Sequence, residues 1–156
     1  MLPDARSADQ RPVLVVEDCD DDFDTVVDAA AHAGVPNALV RAVDADAARH
    51  LLTREPATAF AFMLLDSSLP GSDGLTLLEQ IRRDGLGSSL PVVVFTTSIN
   101  PRDRDAFCAA GASAFHVKSV QHVDCLHTLG SIFAQWLNPA MLRAGTANSL
   151  RVGCSA

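Results

Sequence analysis

Three short apolar runs constrain what this chain of 156 residues can fold into: "PVLVV" at 12–16, "AFAFMLL" at 59–65 and "PVVVFT" at 91–96. None of the three alternates with polar residues, which is typical of central strands that a parallel sheet buries on both faces. The stretch "ALVRAV" at 38–43 does alternate and is predicted as an edge strand, and "AFHV" at 114–117 is predicted as the last strand.

Helical segments separate these runs. They are predicted at 21–33, at 44–53, at 74–83, from Pro101 onward and at 121–137. Proline is favoured at the first position of a helix, which suits Pro101. Strands that alternate with helices indicate an α/β fold with a parallel sheet. We therefore expect a doubly wound, flavodoxin-like fold with five strands in the order 2-1-3-4-5 and five helices.

The chain is predicted to hold one domain, at 11–137, between a flexible N-terminus at 1–10 and a C-terminal tail at 138–156. Its net charge of -7 disfavours a nucleic-acid-binding surface. No apolar run approaches the length of a membrane span, and the first ten residues lack the apolar core of a leader peptide. These features predict a cytoplasmic protein that binds neither nucleic acid nor membrane.

The cysteines are scattered without the C-x-x-C spacing of a zinc site or a thioredoxin-like motif. In the cytoplasm we expect reduced thiols rather than disulfides. The residues concerned are Cys19, Cys108, Cys125 and Cys154.

Polar side chains lie where four of the predicted strands end. Glu17 and Asp18 follow the first strand, Asp66 follows the third, Thr96 ends the fourth and Lys118 follows the fifth. The carboxyl ends of parallel strands meet at one edge of the sheet, where ligands of such folds bind. Each residue alone has an ordinary structural explanation; Lys118, for example, could be a solvent-exposed surface lysine. The convergence of these residues at one edge of the sheet indicates a functional site.

Three carboxylates crowded together repel one another and need a cation. Oxygen ligands with room for water suit Mg²⁺. A cation, a lysine and a hydroxyl together form a pocket for a phosphoryl group. Asp66, in the centre, is then the candidate nucleophile that forms an acyl phosphate.

A second group of acids follows directly, at the start of the first predicted helix. Acidic residues are favoured in the first turn of a helix, so a capping role is preferred for them over a metal role. These residues are Asp20, Asp21, Asp22 and Asp24.

The segments "VLVVED", "LLDSSLPGSDG", "PVVVFTTS" and "AFHVK" together resemble the receiver domain of two-component response regulators. The resemblance extends from Arg11 to Leu137. It implies that Asp66 is the phosphoacceptor, charged from the phosphohistidine of a histidine kinase, and that the protein is a signalling phosphoacceptor rather than an enzyme with a separate substrate.

The same resemblance implies roles for the neighbouring residues. Glu17, Asp18 and Asp66 would hold Mg²⁺ together with the carbonyl group of Ser68. Thr96 and Lys118 would bind the phosphoryl oxygens. Phe115 would be the aromatic switch that moves with Thr96.

Two positions depart from the family pattern. Ser119 follows Lys118, where the family usually has a proline with a cis bond, and a cis bond without proline costs about 3 kcal/mol. The conformation of the Lys118–Ser119 bond is therefore left open. The switch position holds Phe115 instead of the frequent tyrosine.

"FTTSIN", "VKS" and "FAQWL" resemble the single-domain regulators that are paired with bacterial phytochromes. A red-light-sensing histidine kinase is accordingly the favoured partner, and the output is expected to be a protein–protein interaction.

Three alternatives stay open beside this interpretation. A pseudo-receiver would signal without phosphorylation. An aspartyl-phosphate phosphatase of the haloacid dehalogenase type needs a second acid two residues after the nucleophile, where this chain has Ser68. An FMN carrier would place a phosphate-binding loop after the first strand, where this chain has "EDCDDD", which repels phosphate.

The last predicted helix has an apolar arc of about 180°, wider than the roughly 100° that a sheet face covers. One stripe, with Phe133 and Leu137, is expected to pack on the sheet. The other is expected to form the interface of a homodimer and to expose Ile132 and Trp136, unless the tail covers it. The predicted interface residues are Cys125, Leu129, Ile132 and Trp136.

Overall fold

The structure, a computed structural model, describes residues 10–66, 74–87 and 89–137. The predicted C-terminal tail lies outside the described residues, as does the predicted flexible N-terminus except for residue 10. Within the described part of the chain, no helix is both long and apolar enough to cross a membrane.

Strands and helices alternate along the chain, as the apolar runs predict. The elements are β1 (Val13–Val16), α1 (Asp20–His32), β2 (Leu39–Ala42), α2 (Ala45–Arg54), β3 (Met63–Asp66), α3 (Gly74–Arg83), β4 (Val92–Thr96), α4 (Pro101–Ala109), β5 (Ala114–Val117) and α5 (His122–Leu137). The five strands form one parallel sheet in the order β2-β1-β3-β4-β5. The predicted fold class is confirmed.

The third strand is shorter than its apolar run. The run begins in a short 3-10 helix at Ala57–Ala59 and β3 starts only at Met63, although Phe60 and Phe62 between them are buried. At the other end, Asp66 is the last residue of β3 and pairs with Phe95 of β4. The acid is thus held by the sheet ladder itself.

The sheet buries apolar side chains on both faces, because successive strand residues point to opposite sides. On one face they pack against α2, α3 and α4, and on the other against α1 and α5. β2 is half-exposed over three of its four residues, which agrees with its prediction as an edge strand.

The last helix packs against α1 as well as against the sheet, since side chains of both helices share one core with β1, β3 and β4. Leu129 and Ile132 are fully buried in that core, and Cys125 and Trp136 are half-buried against it. The prediction that Ile132 is exposed is therefore wrong, and Leu129 is equally withdrawn from a second copy. α1 covers the part of the apolar arc that the sheet leaves open.

The cysteines differ in state. Cys19 and Cys125 are free thiols. Cys108, on α4, is disulfide-bonded, so the expectation that all four are reduced does not hold.

Candidate functional site

The carboxyl edge of the sheet brings three of the predicted side chains together. The Lys118 ammonium lies 3.4 Å from a carboxylate oxygen of Glu17 and 3.3 Å from one of Asp66. Glu17 and Asp66 are 4% and 6% exposed. The ammonium also lies 5.5 Å from the centre of the Phe95 ring. These residues come from the ends of β1, β3, β4 and β5, so the topology alone places them side by side.

A third carboxylate, that of Asp22, enters the site from the first turn of α1. Its Oδ2 lies 3.3 Å from the Lys118 ammonium. One carboxylate oxygen each of Glu17, Asp22 and Asp66 lie within 4.8 Å of one another. The first-turn position of Asp22 is as predicted, but a capping role alone does not describe it. The helix starts so close to the strand end that its third residue faces the site.

Asp18 is placed differently from the other predicted carboxylates. It is exposed and does not belong to the group formed by Glu17, Asp22 and Asp66. Its role as a metal ligand stays a prediction, and Ser68 lies outside the described residues.

The crowding of charge shifts two pKa values. Burial raises the pKa of Glu17 to about 8, and the hydrogen bond and charge of Asp66 add to this, against the opposing effect of Lys118. Burial by itself lowers the pKa of Lys118, but the charges of Asp66, Glu17 and Asp22 outweigh it and the pKa is raised. Lys118 is therefore an ammonium at neutral pH, while Glu17 holds a proton when no other cation balances the site.

These residues lie at a cavity of about 270 Å³. Its polar side includes Glu17, Asp22, Asp66 and Lys118, and its apolar side includes Val26, Phe95 and Leu129. Carboxylate oxygens are the hard donors that Mg²⁺ prefers, and the open side of the cavity leaves room for its water ligands. The donor set fits a small divalent cation.

Thr96 lies at the same edge but is 1% exposed. Its hydroxyl accepts a hydrogen bond from the N–H of Ser98 at 3.1 Å, and its carbonyl accepts one from the N–H of Lys118 at 2.6 Å. The next residue, Thr97, contributes to the lining of the cavity. The role of Thr96 in phosphoryl binding stays a prediction, and Thr97 is a neighbour of the site that the sequence motif does not single out.

Phe115 is buried, and its ring centre lies 6.0 Å from that of Phe107 on α4. It stands on β5, three residues before Lys118, on the sheet face that packs against α4. This position connects the site to α4, while its movement as a switch stays a prediction.

The family model described as "Response regulator receiver domain" matches residues 13–129. The chain belongs to the response regulator receiver family.

Curated relatives of this receiver domain differ greatly in length. The two-component response regulator ORR41 of Oryza sativa subsp. japonica is 32% identical over 126 residues, which cover 80% of this chain and 92% of that protein. The sensor histidine kinase AruS of Pseudomonas aeruginosa is 37% identical over 75 residues, which cover 47% of this chain and 8% of that protein. The sequence match thus covers a small part of the kinase and nearly all of the regulator.

Solved structures similar to this receiver domain include phytochrome response regulators. The phosphorylated cyanobacterial phytochrome response regulator RcpA is 27% identical, with a TM-score of 0.74 over 89% of this chain and 97% of that one. The Mn²⁺-bound form of the response regulator Rcp1 is 26% identical, with a TM-score of 0.74 over 88% and 97% of the two chains.

In this receiver domain the bond between Lys118 and Ser119 is trans, as are all peptide bonds of the described residues. The Ser119 hydroxyl accepts a hydrogen bond from the N–H of Gln121 at 2.9 Å and lies 3.3 Å from the Asp124 carboxylate. The Cys125 thiol donates to the Ser119 carbonyl at 3.1 Å. Such local side-chain bonds fix a turn without the ring of a proline, so Ser119 ties Lys118 to the start of α5.

Proposed function

We propose that this receiver domain accepts a phosphoryl group on Asp66 from the phosphohistidine of a sensor histidine kinase and then signals through protein–protein interaction. The observation that carries the proposal is the buried carboxylate of Asp66 with the Lys118 ammonium 3.3 Å away at the carboxyl edge of the sheet. A nucleophile next to a fixed positive charge is what transfer of a doubly charged group requires.

In the proposed reaction a carboxylate oxygen of Asp66 attacks the phosphorus atom. The new O–P bond forms as the P–N bond to the kinase histidine breaks, and the imidazole leaves with the electron pair and takes up a proton. Lys118 donates hydrogen bonds to the phosphoryl oxygens and stabilises the charge that they carry. Thr96 is proposed to bind another phosphoryl oxygen, and Phe115 to move with it.

Glu17, Asp18, Asp66 and the Ser68 carbonyl are proposed to hold Mg²⁺. The cation supplies positive charge that offsets the carboxylates and shields the phosphoryl oxygens. The Mn²⁺-bound state of the similar regulator Rcp1 supports a divalent cation here, and so does the donor set at the cavity.

Adding Mg²⁺ is expected to raise the melting temperature, because the cation relieves carboxylate repulsion in the folded state alone. At ten times Kd the gain is about 1.4 kcal/mol, or about 4 °C for a domain of this size. Differential scanning calorimetry with and without Mg²⁺ measures it. Asp18→Ala should lose most of the shift, whereas Asp46→Ala, an exposed acid on α2, should keep it. An unchanged wild-type melting temperature at millimolar Mg²⁺ contradicts the cation site.

Incubation with acetyl phosphate and with autophosphorylated histidine kinases tests the proposal as a whole. In the presence of Mg²⁺, intact-protein mass spectrometry should show one added phosphoryl group that is lost on alkaline treatment, as an acyl phosphate requires. If no donor labels the protein, it is a pseudo-receiver that signals without phosphorylation, and the proposal fails.

We further propose that the cognate kinase is a bacterial phytochrome and that the exchange takes place in the cytoplasm, where the ATP for kinase autophosphorylation is available. The likeness to RcpA supports this pairing. Phosphotransfer from a phytochrome kinase should outpace transfer from kinases with other sensor domains. Equal or slower transfer from the phytochrome kinase argues for a different partner.

We still propose a homodimer. Because Leu129 and Ile132 of the predicted interface are buried, we now propose an interface formed by exposed side chains. Val117 on β5 and Val123 on α5 are 43% and 61% exposed, and Ile99 and Val120 lie in the adjoining loops and are more exposed still. Ile99 and Val117 line one surface cavity. Exposed apolar groups of this kind are typical of an interface, and two-fold dimers are the commonest oligomers.

We expect the double variant Val117→Glu and Val123→Glu to sediment as a monomer at concentrations where wild type is dimeric, since two buried charges per subunit would face an apolar partner. Val43→Glu is the control, because Val43 is 50% exposed but follows β2 at the opposite edge of the sheet. A wild type that sediments as a monomer both with and without phosphorylation refutes the dimer.

A further inference from the structure

Asp22 is the carboxylate of the site that comes from a helix instead of a strand end. It is the third residue of α1, and its Oδ2 lies 3.3 Å from the Lys118 ammonium, the same distance as that of Asp66. Its side chain is 49% exposed, whereas those of Glu17 and Asp66 are 5% and 6% exposed. Asp22 therefore forms the solvent side of the carboxylate group.

The neighbouring first-turn acids do not share this position. Asp20 turns away to Arg41, with 2.8 Å between the charged atoms, and Asp21 is exposed. Asp18 is exposed and lies outside the carboxylate group of the described residues. Acids at a helix N-terminus are stabilised by the helix dipole wherever they point, so the dipole alone does not explain why Asp22 faces Lys118.

The balance of charges at the site indicates a role for the Asp22 carboxylate in binding a cation. Lys118 brings one positive charge to three carboxylates whose oxygens lie within 4.8 Å of one another. All three groups can be ionised at once only when a further cation is present, since like charges this close together disfavour ionisation. Three carboxylate oxygens on one side and solvent on the other match the preference of Mg²⁺ for a few carboxylates completed by water.

We infer that Asp22 is a further protein carboxylate of the divalent-cation site, in addition to the proposed ligands Glu17, Asp18 and Asp66, and that α1 thereby takes part in cation binding. The inference rests on the proposed function, in that it assigns a further residue to the same site. It differs from the ligand set that the family resemblance implies, because that set draws its carboxylates from the ends of β1 and β3.

Isothermal titration calorimetry with Mg²⁺ tests the inference on wild type, Asp22→Asn and Asp21→Asn. Both variants remove one negative charge from the first turn of α1, so their comparison separates a direct ligand from a general charge effect. We expect Asp22→Asn to weaken Mg²⁺ binding at least tenfold and Asp21→Asn to stay within twofold of wild type. Asp22→Glu, which keeps a carboxylate on a longer side chain, should recover part of the affinity.

Thermal unfolding without Mg²⁺ checks that each variant is folded, and Asp22→Ser provides a second removal of the carboxylate should Asp22→Asn fail to fold. An Asp22→Asn affinity within twofold of wild type overturns the inference, as does an equal loss in Asp21→Asn or a wild type that binds no Mg²⁺.

Labelling by acetyl phosphate is measured in parallel to separate the two claims. If wild type is labelled and Asp22→Asn binds Mg²⁺ normally, the inference fails and the proposed function stands. If wild type is never labelled but Asp22→Asn weakens Mg²⁺ binding tenfold, the inference stands and the proposed function fails.

Discussion

Replacing Asp66 by Asn is expected to reduce phosphoryl incorporation from acetyl phosphate and from a phosphorylated kinase to background. The amide has nearly the same shape as the carboxylate but is a poor nucleophile, and it cannot form the acyl phosphate. Radiolabelling followed by peptide mapping measures the loss.

The variant should remain folded, since the substitution removes one of the charges that crowd around Lys118. Its melting temperature without Mg²⁺ should equal or exceed that of wild type, because like charges held close together cost free energy. Asp24→Asn, which removes an exposed acid of α1, is the control for net charge and should label normally. Full labelling of Asp66→Asn, mapped to another residue, would falsify the assignment.

Without Mg²⁺ the domain should lose stability as the pH rises from about 5 to 8. Glu17 has an ordinary pKa of 4.5 and a pKa of about 8 in the folded state, raised first by burial and then by Asp66. Between these values the folded state keeps a proton that the unfolded chain has released, so the slope approaches about 1.4 kcal/mol per pH unit. The stability is fully present below pH 4.5 and is lost as the pH passes through about 8.

Urea unfolding in EDTA at several pH values measures this slope, and Glu17→Gln should flatten it, because glutamine does not titrate. Glu79→Gln makes the same change at an exposed position on α3 and should leave the slope as in wild type. Lys118 does not contribute to the slope between pH 5 and 8, since its pKa is raised from an ordinary value that already lies above this range. Parallel profiles for wild type and Glu17→Gln would show that Glu17 does not hold the proton.

The predictions that agree best with the structure are those based on the pattern of apolar and polar residues within short segments of the chain. An apolar run without polar alternation has to be covered on both faces, which is enough to predict the central strands and the parallel sheet. Because the carboxyl ends of parallel strands meet at one edge, Glu17, Asp66 and Lys118 were predictable as neighbours from their positions after β1, β3 and β5. The contact distances among them agree with that prediction.

Packing between helices determined which side chains of α5 are buried and which residue of α1 reaches the site, and neither can be predicted from one segment alone. The wide apolar arc of α5 suggests an exposed stripe when the helix is considered alone, yet α1 lies beside it and Ile132 is fully buried. The same proximity of α1 to the sheet edge turns Asp22 into a member of the site.

Apolar periodicity in the chain therefore determined which segments are strands and helices, because that pattern is local. The common topology of such α/β folds then predicted the strand order and the edge at which Asp66 and the other polar groups collect. Only the tertiary structure decided which faces of α5 are covered, which first-turn acid reaches Lys118 and how Ser119 replaces a proline with a trans bond. These features depend on distances between segments that are far apart in the chain, and periodicity carries no information about such distances.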